Sequence, residues 1–296
     1  MAQPVVLLTG ASSGIGLALA QKLHVSSFRV AVTAREKSIH TVRAQLPETD
    51  RFGVFPLDVT CAESRERLVA DVRARFGGVD ILINNAGISY RSVIEHMTEA
   101  DEALQMGTNY FGPLGLIRLC LPHMRERRAG RIINVSSVGG MMAMPTMGSY
   151  SASKFALEGA SEALWYELQP WNIKVTLVQP GFIRSRSFEH VYFSEAGKQA
   201  SEEHRDAYHA YYRSMSVFIE TLMCRAFATS DSVAQTVLDL MMKENPPLRH
   251  PATIDATFFS VLRRFVPRKL YHRILYANLP DIKKWGVNEE ESDSQN

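Results

Sequence analysis

The chain has 296 residues, 46% hydrophobic and 22% charged, the profile of a globular protein with a sizeable core. Its net charge of +2 gives no strong field toward nucleic acid, so no nucleic-acid partner is expected. Cys61, Cys120 and Cys224 are scattered, odd in number and outside any CxxC spacing, which points to a reducing compartment and away from a metal site.

The chain starts MAQPVVLLTG, with no basic stretch leading into a long apolar one, so no secretory signal is expected. No apolar run approaches the roughly 20 residues of a spanning helix, and the expected location is cytoplasmic. Val5 to Leu8 is a short apolar run that reads as a buried parallel strand. It leads into Thr9-Gly10-Ala11-Ser12-Ser13-Gly14-Ile15-Gly16 and then a helical pattern. Glycines there let the backbone turn tightly and approach a pyrophosphate at the positive end of the helix. A second strand, Arg29 to Thr33, ends in Ala34-Arg35. An acid near this point accepts from a ribose 2′-hydroxyl, whereas an Arg meets a 2′-phosphate. Arg35 therefore favours NADP(H), and Glu36 blunts the preference.

Val54 to Leu57 reads as a third strand, delivering Asp58-Val59 toward an adenine amino group. A helix through Arg65 to Phe76 precedes strand Asp80 to Ile83 and Asn84-Asn85-Ala86-Gly87. This alternation predicts an α/β fold with a doubly wound parallel (Rossmann) sheet. Ligands on such sheets bind beyond the carboxyl ends of the strands, where each motif falls. Thr98 to Leu121 reads as one long helix or two, with Asn109 inside. That side chain serves either a hydrogen bond to a local carbonyl or water, or plain structural satisfaction.

Strand Arg131 to Val135 delivers Ser136 and Ser137 and is followed by SVGGMMAMPTMGSYSASK. Tyr150 and Lys154 are four apart and share a face if helical, and the Ala-, Leu- and Glu-rich run that follows predicts a helix. A phenol has an ordinary pKa of about 10. A nearby ammonium would lower it, and a hydroxyl at the strand end could hold a substrate oxygen beside it. Ser137, Tyr150 and Lys154 thus read as a proton-transfer site for a carbonyl and an alcohol. Met141, Met142, Met144 and Met147 lie between, as the wall of an adaptable apolar pocket or as core filling.

Strand Lys174 to Gln179 closes at Pro180-Gly181-Phe182-Ile183. Residues 184–229 gather Phe188, Tyr192, Phe193, Tyr208, Tyr211, Tyr212 and Phe218, as a mobile substrate lid or as a packed amphipathic helix. His204 and His209 read as ordinary residues of that segment. PPLRHPA reads as an extended strand. Beyond it, FFSVLRRFVPRKLYHRILYANL mixes aromatics with Arg263, Arg264, Arg268, Lys269 and Arg273 around Pro267. Packing on the body with snorkelling basic residues is the first expectation and peripheral membrane contact the alternative. One domain is expected over 1–285, with the lid at 184–229, a C-terminal extension at 250–285 and a disordered acidic tail at 286–296.

TGASSGIG at 9–16, NNAG at 84–87, Asn109, Ser137 with YSASK at 150–154, and PGFIRS at 180–185 together resemble the short-chain dehydrogenase/reductase family. The match spans residues 4 to 185, in the family's order, and departs from it where Ser185 replaces a common Thr. The resemblance implies that Tyr150 is the general acid in reduction and the base in oxidation. Lys154 would lower its pKa and hold the nicotinamide ribose, and Ser137 would orient the substrate oxygen. Asn109 would place a water linking Lys154 to solvent. Cofactor contacts are implied for Gly10, Ser12, Ser13, Gly14, Ile15, Gly16, Arg35, Asp58, Val59, Asn85, Ala86, Gly87, Tyr150, Lys154, Pro180, Gly181, Ile183 and Ser185. Ser137, Met144 and Tyr150 would meet the substrate. Within the family, SSVGG, YSASKFALEG, TAR and PPLR resemble members acting on 17β-hydroxysteroids and all-trans-retinol. That implies NADP(H) and a lipophilic alcohol, ketone or aldehyde. The family also implies a homodimer or homotetramer, with the helices bearing Tyr150 and Asn109 at the interface. The competing readings are a 3-oxoacyl thioester reductase and a catalytically silent NADP-binding sensor.

Overall fold

Among the residues that the computed structural model describes, 3–185 and 191–286, seven parallel strands form one sheet. They are β1 (Val5–Leu8), β2 (Arg29–Ala34), β3 (Phe52–Pro56), β4 (Ile81–Asn84), β5 (Gly130–Val135), β6 (Ile173–Gln179) and β7 (Arg249–Pro251). The order across the sheet is β3-β2-β1-β4-β5-β6-β7, so the winding reverses between β1 and β4. That reversal is where a doubly wound sheet opens its crevice.

The helices are α1 (Gly14–His24), α2 (Glu36–Gln45), α3 (Ala62–Phe76), α4 (Glu99–Met106), α5 (Gly112–Glu126), α6 (Gly148–Leu168), α7 (Glu195–Glu202), α8 (His209–Arg225), α9 (Ser230–Met242), α10 (Ile254–Phe265) and α11 (Arg268–Ala277). Period-two alternation of the strands divides the core in two. Val6 and Leu8 of β1 pack with Leu19 of α1, Val42 of α2 and Val237 of α9. Val5 and Leu7 pack on the other face with Leu68 of α3, Leu116 of α5 and Leu168. With helices on both faces, β1 and β4 are buried along their whole length, which is why they read as continuous apolar runs.

Several boundaries differ from the sequence expectation. β3 begins at Phe52, where the chain pairs with Val30, and α3 already starts at Ala62. The stretch expected as a helix from Thr98 to Leu121 is α4 and α5 joined by a π-helical turn, Gly107–Phe111, and it continues past Pro122 to Glu126. Asn109 sits buried in that turn. Thr98 caps α4 reciprocally with Asp101.

In segment 184–229, α7 and α8 pack over the loop that leaves β4. The Tyr192 ring lies tilted against Tyr90 with ring centroids 5.4 Å apart, and the buried Tyr212 hydroxyl accepts from Val93 N at 3.1 Å. Tyr212 is thus buried and Phe193 is exposed, while Phe188 lies outside the described residues. PPLRHPA supplies β7, paired parallel with β6. Pro267 caps α11 and separates it from α10. Of the expected acidic tail, all but Gly286 lies outside the described residues.

Candidate active site

The glycines at the end of β1 divide the labour. Gly10 has φ +75°, and a Cβ there would come within 2.8 Å of Ala86 Cα. At Gly16 a Cβ would meet Gly10 O at 1.9 Å, so only glycine lets α1 start against the loop. Gly14 has φ +57°, and its missing side chain would face open space. Ser13 caps α1 without a side-chain hydrogen bond, so the first amides of the helix keep their donors. An open approach, unspent amides and a helix's positive end suit a pyrophosphate. Ser12 and Ser13 are exposed there, and Ile15 is partly buried against the core.

Asn85 turns inward. Its Nδ2 donates to Thr9 O and Gly10 O, both at 3.0 Å, while Thr9 Oγ1 accepts from Asn85 N and Ala86 N. Its Nδ2 thereby holds the glycine loop. Arg35 is exposed at the end of β2; Thr60 donating to Asp58 Oδ1 at 2.6 Å, helped by the Arg35 charge, holds the Asp58 carboxyl below its usual range. Val59 is buried behind Asp58, and Gly87 packs on Asn109 Oδ1.

Asn109 is likewise engaged on every side. Its Oδ1 accepts from Ile88 N, and its Nδ2 donates to Ile88 O and to Ser153 Oγ at 2.9 and 3.0 Å. Ser153 Oγ in turn donates to Tyr150 O at 2.7 Å. The Asn109 side chain thus clamps the β4 loop to α6. Gln105 repeats the grip, accepting from Tyr90 N and donating to Ile88 O.

Ser137 caps a one-turn 3-10 helix (Val138–Gly140), its Oγ accepting from Gly139 N at 3.0 Å. A Cβ at Gly139 would press within 2.9 Å of the Tyr150 ring, so glycine admits the phenol beside Ser137. Burial raises the Tyr150 pKa above its ordinary value, against the Ser137 hydrogen bond and the Arg91 charge, which lower it. Lys154, expected to lower it, has its Nζ donating to Val135 O at 2.9 Å and standing 5.9 Å from the phenol ring centroid. Burial brings Lys154 itself down to about 8, with Glu158 opposing the shift. Glu158 is held by Gln179 Nε2 and Arg249 Nε, each at 2.9 Å, so β7 braces α6 below the site.

The methionines split. Met141 and Met142 are buried against Phe259, Leu262 and Tyr271 of the C-terminal helices, as core filling. Met144 joins that cluster to a second one with Met147, Phe182, Met215, Phe218, Ile219 and Met223. This second group forms an apolar wall joined to Tyr150 through Arg91, one Nη of which lies 3.9 Å from Met223 Sδ. Val138 N donates to Pro180 O at 2.7 Å. Gly181 N donates to Thr253 Oγ1 and Phe182 N to Asp255 Oδ2, so the start of α10 fixes this loop. Ile183 packs on the core, and Ser185 is the last residue described before 191. Thr9, Arg91, Gln105, Ser153, Thr253 and Asp255 had no sequence signal of their own. Of these, Thr9 lay inside TGASSGIG and Ser153 inside YSASK.

The family model for short chain dehydrogenases matches residues 4–195. Over 281 residues the chain is 36% identical to a 3-ketodihydrosphingosine reductase of Bacteroides thetaiotaomicron, covering 94% of this chain and 99% of that protein. It is 30% identical over 283 residues to the oxidoreductase YusZ of Bacillus subtilis, covering 94% and 99%. A solved short-chain dehydrogenase from Streptomyces avermitilis superposes with a TM-score of 0.75 at 32% identity, covering 99% of this chain and all of that one. With a family match over most of the chain and relatives aligned nearly end to end, the chain belongs to the short-chain dehydrogenases, oxidoreductases that work with a nicotinamide cofactor.

Proposed function

We propose that the chain is an NADP(H)-dependent oxidoreductase interconverting a lipophilic ketone or aldehyde with its alcohol. The observation that carries this reading is the pairing of the Ser137 and Tyr150 hydroxyls beside the wall of Met144, Met147, Phe182 and Met223. When bound, the nicotinamide supplies or accepts the hydride. Tyr150 Oη donates its proton to the carbonyl oxygen as that becomes a hydroxyl, and takes it back in oxidation. Ser137 Oγ holds the oxygen and stabilises charge developing on it. The Arg91 charge favours the phenolate left behind, while Lys154 locks α6 to the end of β5 through Val135 O. Asn109, Gln105 and Ser153 hold the backbone that frames these groups.

Arg35, exposed at the end of β2, supports a 2′-phosphate and hence NADP(H). Similarity to a reductase of a long-chain sphingoid ketone supports a long-chain ketone ahead of a steroid or retinoid. Among the described residues no helix is long and apolar enough to cross a membrane. Yet α10 and α11 expose Phe258, Val261, Phe265 and Leu270 beside basic residues. That mixture supports contact with an anionic lipid surface, from which a lipophilic substrate would arrive. Exposed Phe111 and Tyr166 support self-association through the flanks of α5 and α6.

The test is oxidation of NADPH and of NADH against long-chain ketones, steroids, retinal and acyl thioesters. Tyr150→Phe is expected to reduce turnover about 1,000-fold while NADPH still binds. An undiminished rate in that variant would overturn the mechanism.

A further inference from the structure

Arg91 follows NNAG by four positions and is held in place by backbone bonds on both sides. Its N donates to Tyr192 O at 2.8 Å, Tyr192 N donates to Ser89 O, and Ser92 bridges Met147 at the start of α6. Its side chain turns into the site. One Nη lies 3.9 Å from Met223 Sδ in the apolar wall, and its charge acts on the Tyr150 phenol. Nε is buried with no hydrogen-bond partner, and among the described residues no carboxylate pairs with the guanidinium. Arg91 as a whole is half-buried, and holding a cation with a buried, unpartnered donor is costly unless a partner arrives to pair with it. Two residues earlier, Ser89 Oγ is also buried and unpaired, and alternation of the extended loop sends it to the same side as Arg91.

We propose that Arg91, aided by Ser89, is an anion-binding subsite for a carboxylate or phosphate that the substrate carries close to its reacting carbonyl. The proposal rests on the reading of this site as one for a lipophilic carbonyl. A guanidinium offers two donors in a fork that fits either anion. The same charge repels an ammonium beside the carbonyl, as in an amino ketone of the sphingoid type. This chain therefore selects long-chain carbonyl compounds of opposite headgroup charge.

Binding separates this proposal from the question of turnover. Decanoate, decyl phosphate and 1-decanol are titrated calorimetrically into the NADP-loaded protein and into Arg91→Met and Arg91→Lys. One or both anions should bind at least ten-fold tighter than the alcohol, and which of them does so identifies the group. Arg91→Met should erase that difference and Arg91→Lys should keep most of it, with thermal unfolding showing that both variants are folded. Equal binding of all three ligands would overturn the subsite, as would a preference that survives Arg91→Met. Loss of NADPH affinity in Arg91→Met without loss of anion preference would assign the cation to the cofactor instead. If the anions bind as expected but no carbonyl compound turns over, the reductase reading fails and the subsite stands.

Discussion

Lys154 and Tyr150 share a face of α6, yet the Lys154 ammonium donates to the Val135 carbonyl at 2.9 Å and stands 5.9 Å from the centroid of the Tyr150 ring. The cation acting on the phenol in this structure is Arg91. Lys154 is anchored to the end of β5, the strand that delivers Ser137. Its first effect is to lock α6 to the sheet so that the two hydroxyls meet.

That anchoring has a pH signature. The folded Lys154 pKa is about 8, against an ordinary 10.5. Between those values the unfolded chain binds the proton and the folded chain does not, so stability from this site rises with pH across that window. Wild type is expected to gain melting temperature relative to Lys154→Met as pH is raised from 8 toward 10. Tyr150, raised from 10.0, titrates only above that range. A difference that stays constant with pH would show that Lys154 is not buried as described.

Gly16 and Gly14 should respond differently to alanine. At Gly16 the new Cβ meets Gly10 O at 1.9 Å and Asn85 Nδ2 at 2.5 Å, an overpacking worth about 1–3 kcal/mol or more. At Gly14 the space is free, and only the left-handed φ of +57° is strained, worth about 1–2 kcal/mol. Without cofactor, thermal unfolding should rank Gly16→Ala below Gly14→Ala. The reverse ranking would mean that α1 does not seat on the loop as described.

Arg249 holds Glu158 through Nε at 2.9 Å and Glu162 through Nη2 at 2.7 Å. Arg249→Met leaves the buried Glu158 carboxylate with Gln179 alone. With the Arg249 side chain 39% exposed, the loss is discounted from that of a fully buried pair to about 1–3 kcal/mol. In denaturant unfolding, Glu158→Gln added to Arg249→Met should recover part of this. Strict additivity of the two substitutions would argue against the pair.

The outer face of α10 and α11 makes a separate prediction. Phe258→Asp with Phe265→Asp should abolish sedimentation with phosphatidylglycerol vesicles, and raised salt should weaken the wild-type interaction. Both side chains are exposed, so the double variant should melt within about 1 kcal/mol of wild type. Equal sedimentation of the two proteins would remove the lipid surface from the proposal.

Much of the sheet could be read directly, because strands covered on both faces must be apolar throughout, as VVLL and ILIN are. The helix joining Tyr150 to Lys154 was readable for the same local reason, since side chains four apart on a helix are neighbours. The π-helical turn at Gly107–Phe111 was not. Its geometry answers to Asn109 reaching Ile88, 21 residues back, and Ser153, 44 residues on.

By itself, the sequence determined the doubly wound class, the glycine loop and the helix that puts Tyr150 and Lys154 on one face. Each of these depends on neighbours within a turn or a strand. Tertiary structure alone decided what those residues touch. It turned Asn85 inward onto Gly10, tied Lys154 to Val135, and split the methionines between two apolar clusters. It also brought Arg91 to Met223, 132 positions away, beside Tyr150. The physical reason is that burial and pairing are set by surfaces meeting through space, and no local pattern records which surfaces will meet.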